Sequence, residues 1–276
     1  MNASSMHESI RQQHPGTRVE EIPVIDLGEY FANGDGALAC AAQQLCDALE
    51  NIGFFCIVNH CVPQSLIDRT FEQTRRFHDL PHEAKMDIVV NRDNVGFMPT
   101  EGELVRTSPY AANDIKADVG EALFVKRDRA AEPLAVENQW PEDLPGFRDT
   151  VVEYYNAMER LAQRLLPIYA VALDVEPQYF DAAFASPNNL SILRMAHFPP
   201  DPLDHNQFNV GPHTDSSFFT LLPATALPGL ELYCQSGNWF LAQPPSGAII
   251  VNAGDMLTRW TNGRFLSTPH RVRSLS

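Results

Sequence analysis

Hydrophobic and polar positions follow two rhythms along this chain, and the change falls near residue 187. In the first part, "IPVIDL" (Ile22 to Leu27) reads as a short apolar strand. From Ala37 to Ile52, the residues Leu38, Ala41, Leu45, Leu49 and Ile52 recur at three- and four-residue steps, which predicts an amphipathic helix. Gly53 stands where a helix stop belongs, and "FFCIV" (Phe54 to Val58) then reads as a buried strand. Pro63 opens a second helix, with Leu66, Ile67, Thr70, Phe71, Thr74 and Phe77 on one face until Pro81. A long helix follows over 147–173, carrying Val151, Tyr154, Met158, Leu161, Leu165 and Ile168, with a kink expected at Pro167. Between 91 and 138 the pattern dissolves into Gly, Pro and charge, which predicts a long loop of the kind that forms lids and substrate walls.

After Pro187 short β-rich runs arrive at close spacing: "LSILRMAHF", "FFTLL", "GLELYC", "NWFLAQ", "GAIIVNAG" and "RFLSTPHRV". Turn signals separate them, among them Pro199-Pro200, Pro228-Gly229 and Pro244-Pro245. That spacing predicts an antiparallel sandwich or barrel rather than a parallel sheet with helical crossovers. The organisation expected is a flexible leader (1–21), a helical region (22–180) containing the 91–138 loop, and a β-rich region (187–276), together one compact body. No internal repeat or low-complexity tract is visible.

Composition narrows the function. Of 276 residues, 44% are hydrophobic, as in a globular protein with a sizeable core. Acidic side chains outnumber basic ones 35 to 20, for a formal net charge of −15, with no Lys/Arg block. A nucleic-acid or anionic-membrane surface is therefore not expected, and a small-molecule substrate is. Five cysteines without a CxxC pair, most of them in apolar surroundings, read as buried free thiols in a reducing compartment. The polar N-terminus lacks the apolar segment of a signal peptide, and no run is long enough to span a membrane, so a cytoplasmic protein is expected. Nothing in the sequence points to a protein partner.

One short stretch carries chemistry. "GPHTDSSFFTLL" (Gly211 to Leu222) places His213 and Asp215 two residues apart, on one face of a strand. His270 lies in a later β-like segment, with enough strands between for the chain to return beside the pair. Two histidines and a carboxylate on one face suit non-haem iron(II), and they also suit zinc. Zinc hydrolases usually place two histidines on one helix, and no HExxH occurs here. An HxD pair arises readily by chance, and His270 could equally be a hydrogen-bonded sheet histidine. Spacing alone leaves these readings open.

The wider text resembles a known family. "GPHTDSSFFTLL", "NWFLAQPPSGAIIVNAGDMLTRWTNGRFLSTPHRV" and "IPVIDL…GFFCIVNHCVP…LPHEAKM" resemble, in order, blocks of the iron(II)/2-oxoglutarate-dependent oxygenases of the isopenicillin N synthase-like group. The resemblance runs from Ile22 to Val272 and is weakest over 91–138. It implies a mixed α and β fold: a distorted double-stranded β-helix (jelly roll) with a helical N-terminal region packed against it. It implies Fe(II) held by His213, Asp215 and His270, with 2-oxoglutarate and O2 as co-substrates. The activity implied is oxidative decarboxylation of 2-oxoglutarate coupled to hydroxylation, desaturation or cyclisation of a small organic molecule. Asn59-His60 and Asn252, with the "GD" after it, match framework motifs.

Two departures from the family pattern stand out. Phe198, in "MAHFPP", takes the place of a Tyr whose hydroxyl reaches 2-oxoglutarate in relatives. The R-x-S motif, whose Arg clamps the distal carboxylate of 2-oxoglutarate, is not present in this chain, and neither is the closing strand that would carry it. Arg271 and Arg273 sit at odd offsets from His270, so on a regular strand they face away from the metal. Two alternatives follow: an oxidase of the same fold that does not use 2-oxoglutarate, and a catalytically silent scaffold. Expected substrate contacts are Phe97, Arg106, Tyr110 and Lys116 in the long loop, with Phe218 and Phe219 flanking the metal pair.

Overall fold

The computed structural model describes residues 18–19, 22–100, 118–128, 136–185, 189–199, 207–234 and 237–273. Its strands are β1 (Arg18–Val19), β2 (Val24–Asp26), β3 (Phe54–Val58), β4 (Gly96–Met98), β5 (Glu121–Lys126), β6 (Ile192–His197), β7 (Val210–His213), β8 (Phe219–Pro223), β9 (Leu230–Tyr233), β10 (Trp239–Leu241), β11 (Ile249–Ala253) and β12 (His270–Val272). The helices are α1 (Gly28–Phe31), α2 (Ala37–Asn51), α3 (Gln64–His78), α4 (His82–Met86), α5 (Phe147–Ala172), α6 (Asp181–Phe184) and α7 (Asp255–Trp260). The described residues divide into two units, one formed by 18–60 with 207–273 and the other by residues within 61–199. The units interleave along the chain, so the division does not follow the change of rhythm near residue 187.

The first unit is the jelly roll. One sheet has the order β1-β10-β9-β12-β7 and the other β2-β3-β11-β8. Neighbours pair antiparallel except β1 with β10 and β2 with β3. The alternation of apolar positions explains the layering. Phe54, Cys56 and Ile250 point inward from one sheet and meet Leu232 and Phe240 from the other, with Ile22, Ala242 and Ala248 filling the gaps. Full burial of a large apolar side chain stabilises by about 1.5–3 kcal/mol, so these inner faces hold the sandwich together.

Helix α2 buries Ala41, Ala42, Leu45, Cys46, Ala48 and Leu49 and packs on β2 and β3. It ends at Gly53, whose φ is +75°; a Cβ there would lie 2.4 Å from both the Leu266 carbonyl and Thr268 Oγ1. Glycine is required twice over, by conformation and by close approach. The approach matters because Leu266 and Thr268 lead into β12.

The second unit carries the antiparallel sheet β4-β5-β6, with α3 packed on α5 and on β6. Its core gathers Phe77, Phe97, Leu123, Val125, Leu144, Phe147, Val151 and Met195. Helix α5 runs through Pro167 to Ala172.

The expectations from hydrophobic pattern meet three corrections. The stretch read as a loop contains β4 and β5; "EALFVK" alternates weakly because Ala122, Leu123 and Val125 are all buried. "RFLSTPHRV" becomes strand only at its last three residues, since Pro269 brings no N–H to a ladder. "DMLTRW", between two runs read as β, forms α7, a helix the pattern did not mark. The expectation of buried cysteines holds for Cys46 and Cys56, whereas Cys40 and Cys61 are exposed. No helix among the described residues is long and apolar enough to cross a membrane.

Candidate metal centre

Strands β7 and β12 are neighbours, and their register sets His213 directly opposite His270. The ring centres are 4.3 Å apart. Asp215, two residues past His213, brings Oδ1 to 3.6 Å from His213 Nε2 and 3.7 Å from His270 Nε2. The three ligating atoms lie within 4.8 Å of one another. The fold thus brings the three residues together from β7, β12 and the irregular turn after β7, where Asp215 lies just outside the strand expected to carry it.

Each member is aimed by a second contact. His213 Nδ1–H donates to the Gly211 carbonyl at 2.9 Å, and His270 Nδ1–H donates to the Thr268 carbonyl at 3.1 Å. Those bonds fix the tautomer that leaves each Nε2 lone pair directed at the shared point, as metal-binding histidines require. Asp215 Oδ2 accepts from Thr220 Oγ1 at 2.6 Å and from Asn252 Nδ2 at 2.9 Å, which turns Oδ1 toward the two rings. Burial works to raise the Asp215 carboxyl, but the His213 and His270 rings, with the bonds from Asn252 and Thr220, outweigh it. The carboxyl is held well below the usual range and is ionised. Two neutral imidazoles and one monodentate carboxylate are a donor set that fits iron(II).

Thr220 and Asn252 escaped the sequence reading as contributors to the site. The sequence marks Asn252 as framework and Thr220 as part of an apolar run. They are Cα partners across the β8–β11 ladder, which is why both reach the same carboxylate oxygen. The "GD" after Asn252 has its own reason: the Asp255 N–H donates to the Asp215 carbonyl at 2.7 Å, and a Cβ on Gly254 would sit 2.1 Å from the Ser217 carbonyl.

The other expected contacts fare variously. Phe219 opens β8 and is half-buried, with its ring 5.7 Å from that of buried Phe218. Phe198 follows β6 and is half-buried. Phe97 is 0% exposed and packs against Phe77, so it is a core side chain with no surface turned to a ligand. Arg106, Tyr110 and Lys116 lie outside the described residues. Arg271 faces away from the triad, as its offset predicted, and is paired with Glu231.

A second His–carboxylate–His group, His78, Glu121 and His197, occurs in the other unit. Here the cation is already present: Lys85 Nζ donates to Glu121 Oε1 at 2.8 Å and to Oε2 at 2.9 Å. His78 Nδ1 and His197 Nδ1 also approach Oε1, at 2.8 and 3.1 Å. A divalent ion would have to share that carboxylate with an ammonium, so this group is an ion-pair cluster.

Comparison with known proteins identifies the family. Residues 189–276 match the 2OG-Fe(II) oxygenase superfamily, and residues 22–143 match the N-terminal region described as non-haem dioxygenase in morphine synthesis. The chain is 34% identical to a 2-oxoglutarate-Fe(II) type oxidoreductase, hxnY, of Emericella nidulans, over 91% of this chain and 74% of that protein. It is 31% identical to the validamycin A dioxygenase of Streptomyces hygroscopicus subsp. limoneus, over 91% of this chain and 71% of the other. Among solved structures, Neurospora crassa T7H in complex with alpha-KG superposes with a TM-score of 0.78 at 26% identity, covering 95% of this chain and 80% of that one. Sequence relatives, fold and donor set agree: the chain belongs to the 2OG-Fe(II) oxygenase superfamily, whose enzymes use Fe(II), 2-oxoglutarate and O2.

Proposed function

We propose that His213, Asp215 and His270 hold the Fe(II) of this 2-oxoglutarate-dependent dioxygenase. The observation that carries the assignment is the convergence of three ligating atoms within 4.8 Å, with every opposite atom of the triad already engaged by carbonyl, hydroxyl or amide. Bound there, iron(II) would supply dioxygen activation, coupling the decarboxylation of 2-oxoglutarate to succinate with oxidation of the substrate.

The chain's own residues do the holding. The two imidazoles donate neutral nitrogens, and the ionised Asp215 offsets part of the ion's charge. With three protein ligands, further coordination positions on the ion would remain for co-substrates. No side-chain acid or base is required for this chemistry. Phe219, half-buried and apolar, is a candidate to bound the reacting space. The substrate is a small organic molecule, a reading supported by solved relatives such as T7H in complex with alpha-KG and thymine. Relatives named as oxidoreductases and dioxygenases favour the oxygenase over the silent scaffold. Five cysteines, an odd number without a CxxC pair, support a cytoplasmic setting.

The test is succinate release from 2-oxoglutarate, screened with a small-molecule library under Fe(II) and air. We expect substrate-dependent succinate from the wild type and none from Asp215→Ala. Substrate oxidation without succinate would point instead to the oxidase reading, and normal turnover by Asp215→Ala would remove the metal assignment.

A further inference from the structure

We propose that the ion pair between Arg271 and Glu231 is a register pin, which keeps β12 in the one alignment that turns His270 toward His213 and Asp215. The proposal rests on the reading of His270 as a ligand.

Strand β12 has three residues, and backbone bonds extend its pairing, from Tyr233 N–H to the Pro269 carbonyl, Asn209 N–H to the Val272 carbonyl and Arg273 N–H to the Gly229 carbonyl. Because every non-proline residue offers the same backbone donor and acceptor, such bonds do not by themselves select one register for β12. Its pairing with β7 is irregular: His270 faces His213 and Val272 faces Val210, with a register shift between them. That side therefore accommodates a one-residue step. A slip of one residue exchanges the two faces of a strand. It would carry His270 to the outside and bring Arg271 onto the inner face, where Leu232, Phe240 and Phe54 form the core.

The opposite side resists that slip. Arg271 and Glu231 are Cα partners across the β12–β9 ladder, and Arg271 Nε–H donates to Glu231 Oε2 at 2.6 Å. The guanidinium carbon lies 4.0 Å from the centre of the Trp239 ring and 5.2 Å from that of Phe208. The Glu231 side chain is 2% exposed, so displacing Arg271 would leave a buried carboxylate without its cation. A planar fork stacked on an aromatic face and bonded to a carboxylate is directional, which a pair of apolar side chains is not. The pin acts through His270; Arg271 is a positioning residue and touches no reacting atom.

The test uses Co(II) as the probe, with its affinity and d–d spectrum read beside thermal stability, in the wild type, Arg271→Met, Arg271→Lys and the double variant Arg271→Leu/Glu231→Leu. Removing a supporting residue around a metal site typically costs about 10–100-fold in affinity; that loss is expected for Arg271→Met, and a smaller one for Arg271→Lys. The double variant leaves no buried charge alone, so its thermal stability is expected to return toward wild type while Co(II) affinity stays at least about tenfold weak. Recovery of both in the double variant would overturn the pin and make the pair a fold element. Unchanged Co(II) affinity in Arg271→Met would also overturn it. His270→Ala separates the two levels: wild-type Co(II) binding there would remove the ligand reading itself.

Discussion

Two groups of the same composition, histidine–carboxylate–histidine, occur in the two units and differ in what already neutralises the carboxylate. Around Asp215 the distal oxygen is held by the neutral donors Thr220 and Asn252, and the other oxygen faces two imidazoles. Around Glu121 the ammonium of Lys85 touches both oxygens. Neutral donors orient a carboxylate and leave its charge available to an ion, whereas a buried ammonium consumes that charge. Residue types and spacing alone do not separate the two. The cation already in place does.

The largest expected effect sharpens this contrast directly. His213→Ala should lose Co(II) binding and all succinate-forming turnover, while His197→Ala should leave one Co(II) bound per chain. Equilibrium dialysis with Co(II) checks both, and loss of the bound ion in His197→Ala would break the comparison.

Next comes Lys85→Ala. Its side chain is 8% exposed and that of Glu121 12%, so the substitution strands a largely buried carboxylate. Removing one partner of such a pair costs about 3–5 kcal/mol, read from urea unfolding. The same change frees His78, Glu121 and His197 as a donor set. A second Co(II) equivalent should then bind and restore part of the lost stability. An unfolding midpoint indifferent to Co(II) would show that the ammonium was not what kept an ion out.

How much of this could be read beforehand depended on locality. Helix α2 and strand β3 were legible because their apolar periods lie within single runs, closed by Gly53. His213, Asp215 and His270 were legible because the text around them resembles a family, and the register of β7 with β12 then placed them together. Thr220 and Asn252 were not, since their role comes from cross-strand pairing 32 residues apart. Strand β5 was hidden for a different reason. Its inward face mixes Glu121 with Leu123 and Val125, so the alternation that marks a strand is broken by the same carboxylate that Lys85 satisfies.

Smaller effects follow at the supports of the metal site. Asn252→Ala and Thr220→Val each remove one donor to Asp215 Oδ2 and free the carboxylate to rotate. Metal affinity should fall about 10–100-fold for each, with turnover rescued at high Fe(II). The two losses should be less than additive, because both act on one oxygen. Strict additivity in a Co(II) titration of the double variant would argue that they act separately.

The smallest expected effect is a pH dependence confined to the second unit. Burial pushes the His78 imidazole below its ordinary value, against the pull of the Met195 carbonyl and Glu121. The Glu121 carboxyl, although burial works to raise it, is lowered on balance by Lys85, His78 and His197. The signs agree. A histidine with a lowered folded pKa binds fewer protons than the unfolded chain just below pH 6.5, so stability falls as pH falls through that window. A carboxyl with a lowered folded pKa repeats this below its ordinary value of 4.5. Acidification should therefore raise amide exchange in α3, β5 and β6 in two steps, the first in the histidine range and the second in the carboxylate range. His78→Gln should erase the first step and keep the second, since Glu121 would still be paired with Lys85. A single step, or a first step that survives His78→Gln, would assign the acid sensitivity to other groups and leave the two triads alike in this respect.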